Sequence, residues 1–256
     1  MGFILLNRDT ALSKISEGGL GWAQLGYNDD VDNVEEDMIV QGGTYAWPAA
    51  ATKMDLVSSD AADKGTVTAG TGARTVVLCY LDSTGLEKHE VITLAGATPV
   101  TTAGTVWRVN DMRVATTGSN LKPVGNLTLS EVGGTTNVYG YIRAGYNRMR
   151  QCVYTVPTGK ELYITSITVS GVNAAVSHWC RFCLMATYDE HDGTVMAAKT
   201  FVPFHEFFVV DQSFVRNLEI PTMFPAGVDL KMTALSDGAT ANEKCSCALR
   251  GYLVTV

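Results

Sequence analysis

Residues 229–234 set Leu230, Met232 and Ala234 against Asp229, Lys231 and Thr233 in strict alternation. Helical side chains come round about every 3.6 residues, so a period of two means a strand with one buried face. Strand-like segments recur between Gly, Asp, Asn and Ser clusters at 75–80, 88–95, 105–114, 127–132 and 137–143. A second set follows at 151–156, 161–170, 178–188, 194–201, 213–220, 228–235 and 244–256, punctuated by turns such as Pro157-Thr158-Gly159 and Pro225-Ala226-Gly227. Short strands so regularly separated predict an all-β chain built from sandwiches. In 161–170 the apolar phase flips between Ile164 and Ile167, which predicts a bulge or bend near Ser166. Around 88–95 the alternation of Glu90, Ile92 and Leu94 with His89, Val91 and Thr93 is loose, as in a strand partly covered on both faces.

Residues 1–50 read differently. A short helix is expected near 10–16, followed by the glycines at 18, 19 and 21 and an acidic stretch over 28–37. Trp22, Tyr27, Tyr45 and Trp47 give this segment more aromatic surface than a solvated tail carries. The expected organisation is therefore an extended N-terminal arm, 1–50, then two antiparallel domains: a β-sandwich over 51–145 and a jelly-roll-like sandwich over 146–256. The arm is expected to order only against a neighbour, with Phe3, Ile4, Leu5, Trp22, Tyr27, Tyr45 and Trp47 as docking residues. On that reading a chain starting near Thr52 folds but does not assemble.

A net charge of −7 with scattered Lys and Arg gives no clustered basic field, so direct nucleic-acid binding is not expected. No apolar run approaches the roughly 20 residues a spanning helix needs, and residues 3–6 are too short for a signal-peptide core, so synthesis in a cytoplasm with no membrane attachment is expected. Leu6 stands where a myristoylation signal wants Ser or Thr.

The six cysteines include Cys180-x-x-Cys183 and Cys245-x-Cys247. On a strand, Cys180 and Cys183 face opposite sides and cannot share a metal, whereas Cys245 and Cys247 continue through Leu249 and Leu253 on one apolar face. Reduced, metal-free thiols are expected. Asn28-Asp29-Asp30-Val31-Asp32 lacks the sixth-position glycine and terminal Glu of a calcium loop and reads as a solvated acidic loop. Neither His89, His178, His191 and His205 nor the Asp189-Glu190 pair completes a nucleophile or metal motif, and Gly70-Thr71-Gly72 precedes a strand, not a phosphate-binding helix. No catalytic, cofactor-binding or metal residue is expected.

Three blocks carry a resemblance. The first is Leu25-Gly26-Tyr27-Asn28-Asp29-Asp30-Val31-Asp32 with Gly42-Gly43-Thr44-Tyr45-Ala46-Trp47-Pro48. The second runs from Ser58-Ser59-Asp60-Ala61-Ala62-Asp63 through Gly70-Thr71-Gly72-Ala73-Arg74 and Glu90-Val91-Ile92-Thr93-Leu94 to Arg108-Val109-Asn110, and the third is Tyr154-Thr155-Val156-Pro157-Thr158-Gly159-Lys160. Together they resemble a family of tailed-bacteriophage virion structural proteins, with departures at Ala95, Ala97 and the Cys-rich strands. The resemblance implies a virion component made in the bacterial host's cytoplasm. Its expected partners are other virion proteins, foremost the major capsid protein, and further copies of itself, a trimer being one candidate. Capsid decoration or cementing is the leading role. A head–tail adaptor or ring, a tail-fibre base, and a glycan-binding module of a tail spike are the alternatives.

Overall fold

The computed structural model describes residues 19–66, 68–134, 136–172, 179–187, 200–210, 212–238 and 243–256. Among them the chain is all-β, with strands in several antiparallel sheets and no helix. It divides into two compact units, one made of residues up to Thr44 with Gln151–Val256, the other of Tyr45–Arg150.

The first unit contains β1 (Leu20–Val31), β2 (Glu36–Asp37), β10 (Val153–Thr155), β11 (Lys160–Val172), β12 (Trp179–Thr187), β13 (Phe201–Val210), β14 (Ser213–Phe224), β15 (Asp229–Ser236) and β16 (Glu243–Thr255). One sheet runs β1-β16-β11-β14 and the other β10-β15-β12-β13, with β2 added against β15. The pairs β1/β16, β10/β15, β11/β14 and β12/β13 are nested like one long antiparallel hairpin rolled up, so that alternate pairs fall in alternate sheets. Both sheets send side chains into a common core, including Ile164, Ile167, Val169 and Leu249 from one and Phe182, Leu184, Leu230 and Met232 from the other. The alternation read at 229–234 is this inward face.

The expected arm is overturned where it is described. Phe3, Ile4, Leu5 and the helix near 10–16 lie outside the described residues. From Leu20 onward the segment is an integral strand, paired with β16 from Leu20↔Leu253 to Val31↔Glu243. Its inward positions are Gln24, Gly26 and Asn28, which are polar or small and so hide the period from a reading of hydrophobicity. Gln24 Nε2 donates to the carbonyls of Gln151 (2.7 Å) and Val153 (3.1 Å). A Cβ at Gly26 would lie 2.6 Å from Cys247 Sγ and 2.7 Å from Cys152 Cβ, so glycine is what lets these cysteines fill the core.

The acidic stretch is likewise no solvated loop. Asn28 is fully buried and donates to Glu36 Oε2 at 2.7 Å. Glu35 pairs with Arg181 at 2.8 Å and accepts from the Thr233 hydroxyl at 2.6 Å, while buried Asp37 pairs with Lys231 at 2.8 Å. These contacts strap the segment to β12 and β15.

The phase flip in 161–170 is a bulge. Register shifts between Ile164 and Ser166 against both neighbours, leaving Thr165 extruded. Opposite it a Cβ at Gly251 would lie 1.9 Å from the Tyr163 carbonyl oxygen. Gly251→Ala is expected to cost about 1–3 kcal/mol through forced backbone displacement, read as a lowered denaturation midpoint.

The second unit holds β3 (Met54–Ser58), β4 (Ala73–Leu81), β5 (Glu87–Thr93), β6 (Val100–Thr101), β7 (Arg108–Thr117), β8 (Leu127–Glu131) and β9 (Val138–Ile142), in sheets β6-β3-β8-β9 and β5-β4-β7. Here β5 is an edge strand with Ile92 buried and Val91 65% exposed, so one face is covered and the expected partial cover of the other is corrected at Val91. The chain leaves the first unit after Thr44 and returns at Gln151, and Ile39 and Gln151 form a bridge within that unit beside the crossing.

Candidate assembly surface

The aromatic residues expected to dock are instead built into the units. Trp22 packs on the core and meets Tyr154 edge-to-face at 5.0 Å, and Tyr27 is half-buried on β1 opposite Ser246. Tyr45 is buried, with its hydroxyl donating to the Tyr139 carbonyl at 3.1 Å and its ring 5.0 Å from Trp47. The guanidinium of buried Arg108 lies 5.4 Å from the Trp47 ring and 4.3 Å from that of Trp107, and donates to the Pro48 carbonyl at 2.7 Å. A desolvated cation over aromatic faces is a strong local tie.

What the structure exposes lies elsewhere. β13 ends one sheet and β14 ends the other, and among the described strands each has one paired neighbour, β12 and β11 respectively. Side chains join these two edges: Phe207 and Phe214 have ring centroids 5.6 Å apart, Phe204 and Phe224 meet at 5.0 Å, and His205 Nε2 bonds to Thr222 Oγ1 at 2.9 Å. Phe207, Leu218 and Phe224 are buried and anchor the margin. Around them Phe208 is 63% exposed, Val210 51%, Val215 57% and Ile220 71%, with Phe204, Phe214 and Met223 also exposed. Seven of the seventeen large apolar side chains exposed among the described residues therefore fall within residues 204–223.

The sequence carries no strand signal over 201–210, which is apolar on both faces and broken by Pro203, His205 and Glu206 and so has no clean period. The signal that finds this margin is proline. Pro203 and Pro221 lie inside strands, which a sheet tolerates at its edges because proline donates no ladder hydrogen bond. Both strands are also bulged, β13 at Phe204 and β14 over 218–221 opposite Thr165.

Burial, followed by the positive charge of Arg216, lowers the His205 pKa below its ordinary 6.5. The unfolded chain then takes up a proton near pH 6.5 that the folded chain refuses, so acidification through that range destabilises the first unit. The expected result is a melting temperature that falls between about pH 7.5 and about pH 5.5, with the fall reduced in His205→Gln.

The thiols are core elements. Cys245, Cys247, Leu249 and Leu253 all enter the core as the strand period implies, with Cys245 Sγ 3.8 Å from Cys180 Sγ. Cys180 faces the core, whereas Cys183 lies on the other face near Glu206 and Glu35, its pKa pushed up to about 11 by burial and then by those carboxylates. In the second unit Cys79 Sγ is 3.5 Å from His89 Nδ1, a pairing invisible in the sequence. Burial raises the Cys79 pKa, the reverse of the depression an activated nucleophile needs. Among the described residues no group of three or more His, Cys, Asp or Glu side chains is placed to hold a metal. All six cysteines are free and buried, so native protein is expected to resist alkylation at about pH 8 and to react fully once unfolded. Rapid stoichiometric labelling of the native chain, seen by mass spectrometry, would contradict this placement.

No family model and no curated protein matches the chain. Among solved structures it aligns with a chain of the infectious bursal disease virus Gt strain at 12% identity, covering 93% of this chain and 72% of that one, with a TM-score of 0.19. The Gx strain aligns over the same shares at 13% identity and TM-score 0.19, and the VP2 subviral particle of that virus at 14% and 0.13. Scores of this size do not establish a common fold.

Proposed function

We propose that this protein is a structural subunit of a tailed-bacteriophage virion that decorates and cements the head shell, acting by assembly and not by catalysis. The observation that carries the reading is the apolar β13–β14 margin, displayed on two sheets that share one core. Exposed apolar patches of this extent mark protein–protein contact, and a charged fraction of 18%, against roughly 25% on average, suits a surface destined for burial. The nested pairing of eight strands supports naming the first unit a jelly roll, an architecture at home in shells but also in lectins, so fold alone does not decide. The sequence blocks quoted above point to the virion. On this reading the chain is made in the host cytoplasm and joins the particle by binding the major capsid protein.

Electron microscopy of intact particles tests the proposal. Hundreds of copies over the shell support decoration, and a dozen or fewer at one vertex replaces it with a head–tail adaptor, ring or fibre base. Micromolar binding of host polysaccharide by the purified chain would favour a glycan-recognition module, and cleavage of that polysaccharide would overturn a non-catalytic role.

A further inference from the structure

The margin is not uniformly available. Pro203 and the bulge at Phe204 interrupt β13 at its start, and the bulge over 218–221 with Pro221 interrupts β14 toward its end. Such features stop a neighbouring strand from continuing a sheet. Among the described residues they leave 205–210 and 213–217 as uninterrupted edge, and this same half carries Phe208, Val210, Phe214 and Val215. Open backbone and exposed apolar side chains coincide there.

We infer that this open half of the β13–β14 margin is a homotypic interface, occupied by the same margin of a second copy of the chain. An antiparallel edge is its own complement, since a half-turn sets its donors opposite its acceptors, as an isologous contact requires. The charges agree: the two strands expose both signs, Glu206 on β13 and Arg216 and Glu219 on β14, so a second copy brings each sign to meet the other, whereas an anionic polymer or membrane would meet a margin of mixed sign. The area is in keeping with this. The four exposed apolar side chains of the open half offer about 400 Å², at roughly 200 Å² for each when fully exposed, about half of the roughly 800 Å² per partner of a standard stable interface, and the paired edge backbone with its flanking polar side chains supplies the remainder. The inference deepens the reading of the chain as an assembling subunit by saying which face it assembles through.

The test uses the purified full-length chain, with no particle or capsid protein present. Sedimentation equilibrium is expected to show a dimer or larger closed species. Phe208→Glu and Val215→Lys should each weaken self-association by about 100-fold, and Arg216→Glu by about tenfold, with unchanged circular dichroism and thiol protection. Val91→Glu, an equally exposed apolar position on β5, should leave the mass unchanged. A wild type that stays monomeric at about 100 μM, or folded variants at Phe208, Val215 and Arg216 that all keep the wild-type mass, would overturn the inference. Because particle occupancy is measured separately on virions, a monomeric chain that still decorates heads would sink this interface and leave the decoration reading standing.

Discussion

A chain beginning at Thr52 is expected to lose the whole first unit, not to fold as two intact β domains short of a docking arm. The deletion removes β1, which pairs with β16 from Leu20 to Val31, and β2, which pairs with β15. It removes Val31 and Met38, both fully buried in the core, and a buried side chain such as Met38 alone is worth about 2–5 kcal/mol. It also strips the carboxylate from Lys231, and breaking a buried ion pair by deleting one partner costs about 3–5 kcal/mol. The Gln24 amide that bonds to the Gln151 and Val153 carbonyls goes with it. Together these losses reach the 5–15 kcal/mol that ordinarily separates folded from unfolded domains. Hydrogen exchange should show protection collapsing in 160–172 and 243–255. In the full-length protein Gly26→Val should act in the same direction, because its side chain would collide with Cys247, Cys152 and Met38. Native-like protection in the truncated chain would restore the arm.

That contrast shows where the sequence is legible. Where a strand buries one regular apolar face, as at Leu230, Met232 and Ala234, the period is written in hydrophobicity and can be read directly. The bulge at Thr165 is legible for the same reason, because an extra residue flips which side chains face inward. β1 resists such reading because its inward side chains were selected for fit: Gln24 bridges to β10, Gly26 makes room for two cysteines, and Asn28 satisfies Glu36. Pairing between Leu20 and Leu253 spans nearly the whole chain, and nothing local encodes it. The candidate surface is hidden for the opposite reason. Trp22, Tyr45 and Trp47 look like docking residues in composition, yet burial against Tyr154 and Arg108 absorbs them. The exposed Phe208 and Val215 resemble core residues until strand order shows that they lie on sheet edges.

Asp63→Ala is expected to unfold the second unit. This carboxylate is fully buried, and four donors converge on it. Oδ1 accepts from the backbone amides of Ala73 (2.7 Å) and Val124 (2.9 Å), and Oδ2 accepts from the Gly125 amide (2.8 Å) and the Ser58 hydroxyl (2.7 Å). One side chain thus ties the end of β3, the start of β4 and the approach to β8 into a single knot, which the local run Ser58-Ser59-Asp60-Ala61-Ala62-Asp63 shapes through the Asp60 carboxylate bonding to the Ala62 amide. Hydrogen bonds to a charged group contribute about 1.5–3 kcal/mol each, and every buried donor left without a partner carries its own desolvation cost of about 1–3 kcal/mol. Truncation to Ala orphans three backbone amides at once, for an expected loss of about 4 kcal/mol or more. Asp63→Asn keeps the shape, but its amide group must face at least one N–H donor, so it should fall between Ala and wild type. Ser58→Ala removes the hydroxyl donor alone and should cost about 1 kcal/mol. Hydrogen exchange should show protection lost across 54–58, 73–81 and 127–131 while 160–172 and 243–255 stay protected. Equal losses for Ser58→Ala and Asp63→Ala would mean that the carboxylate is not the centre of the knot.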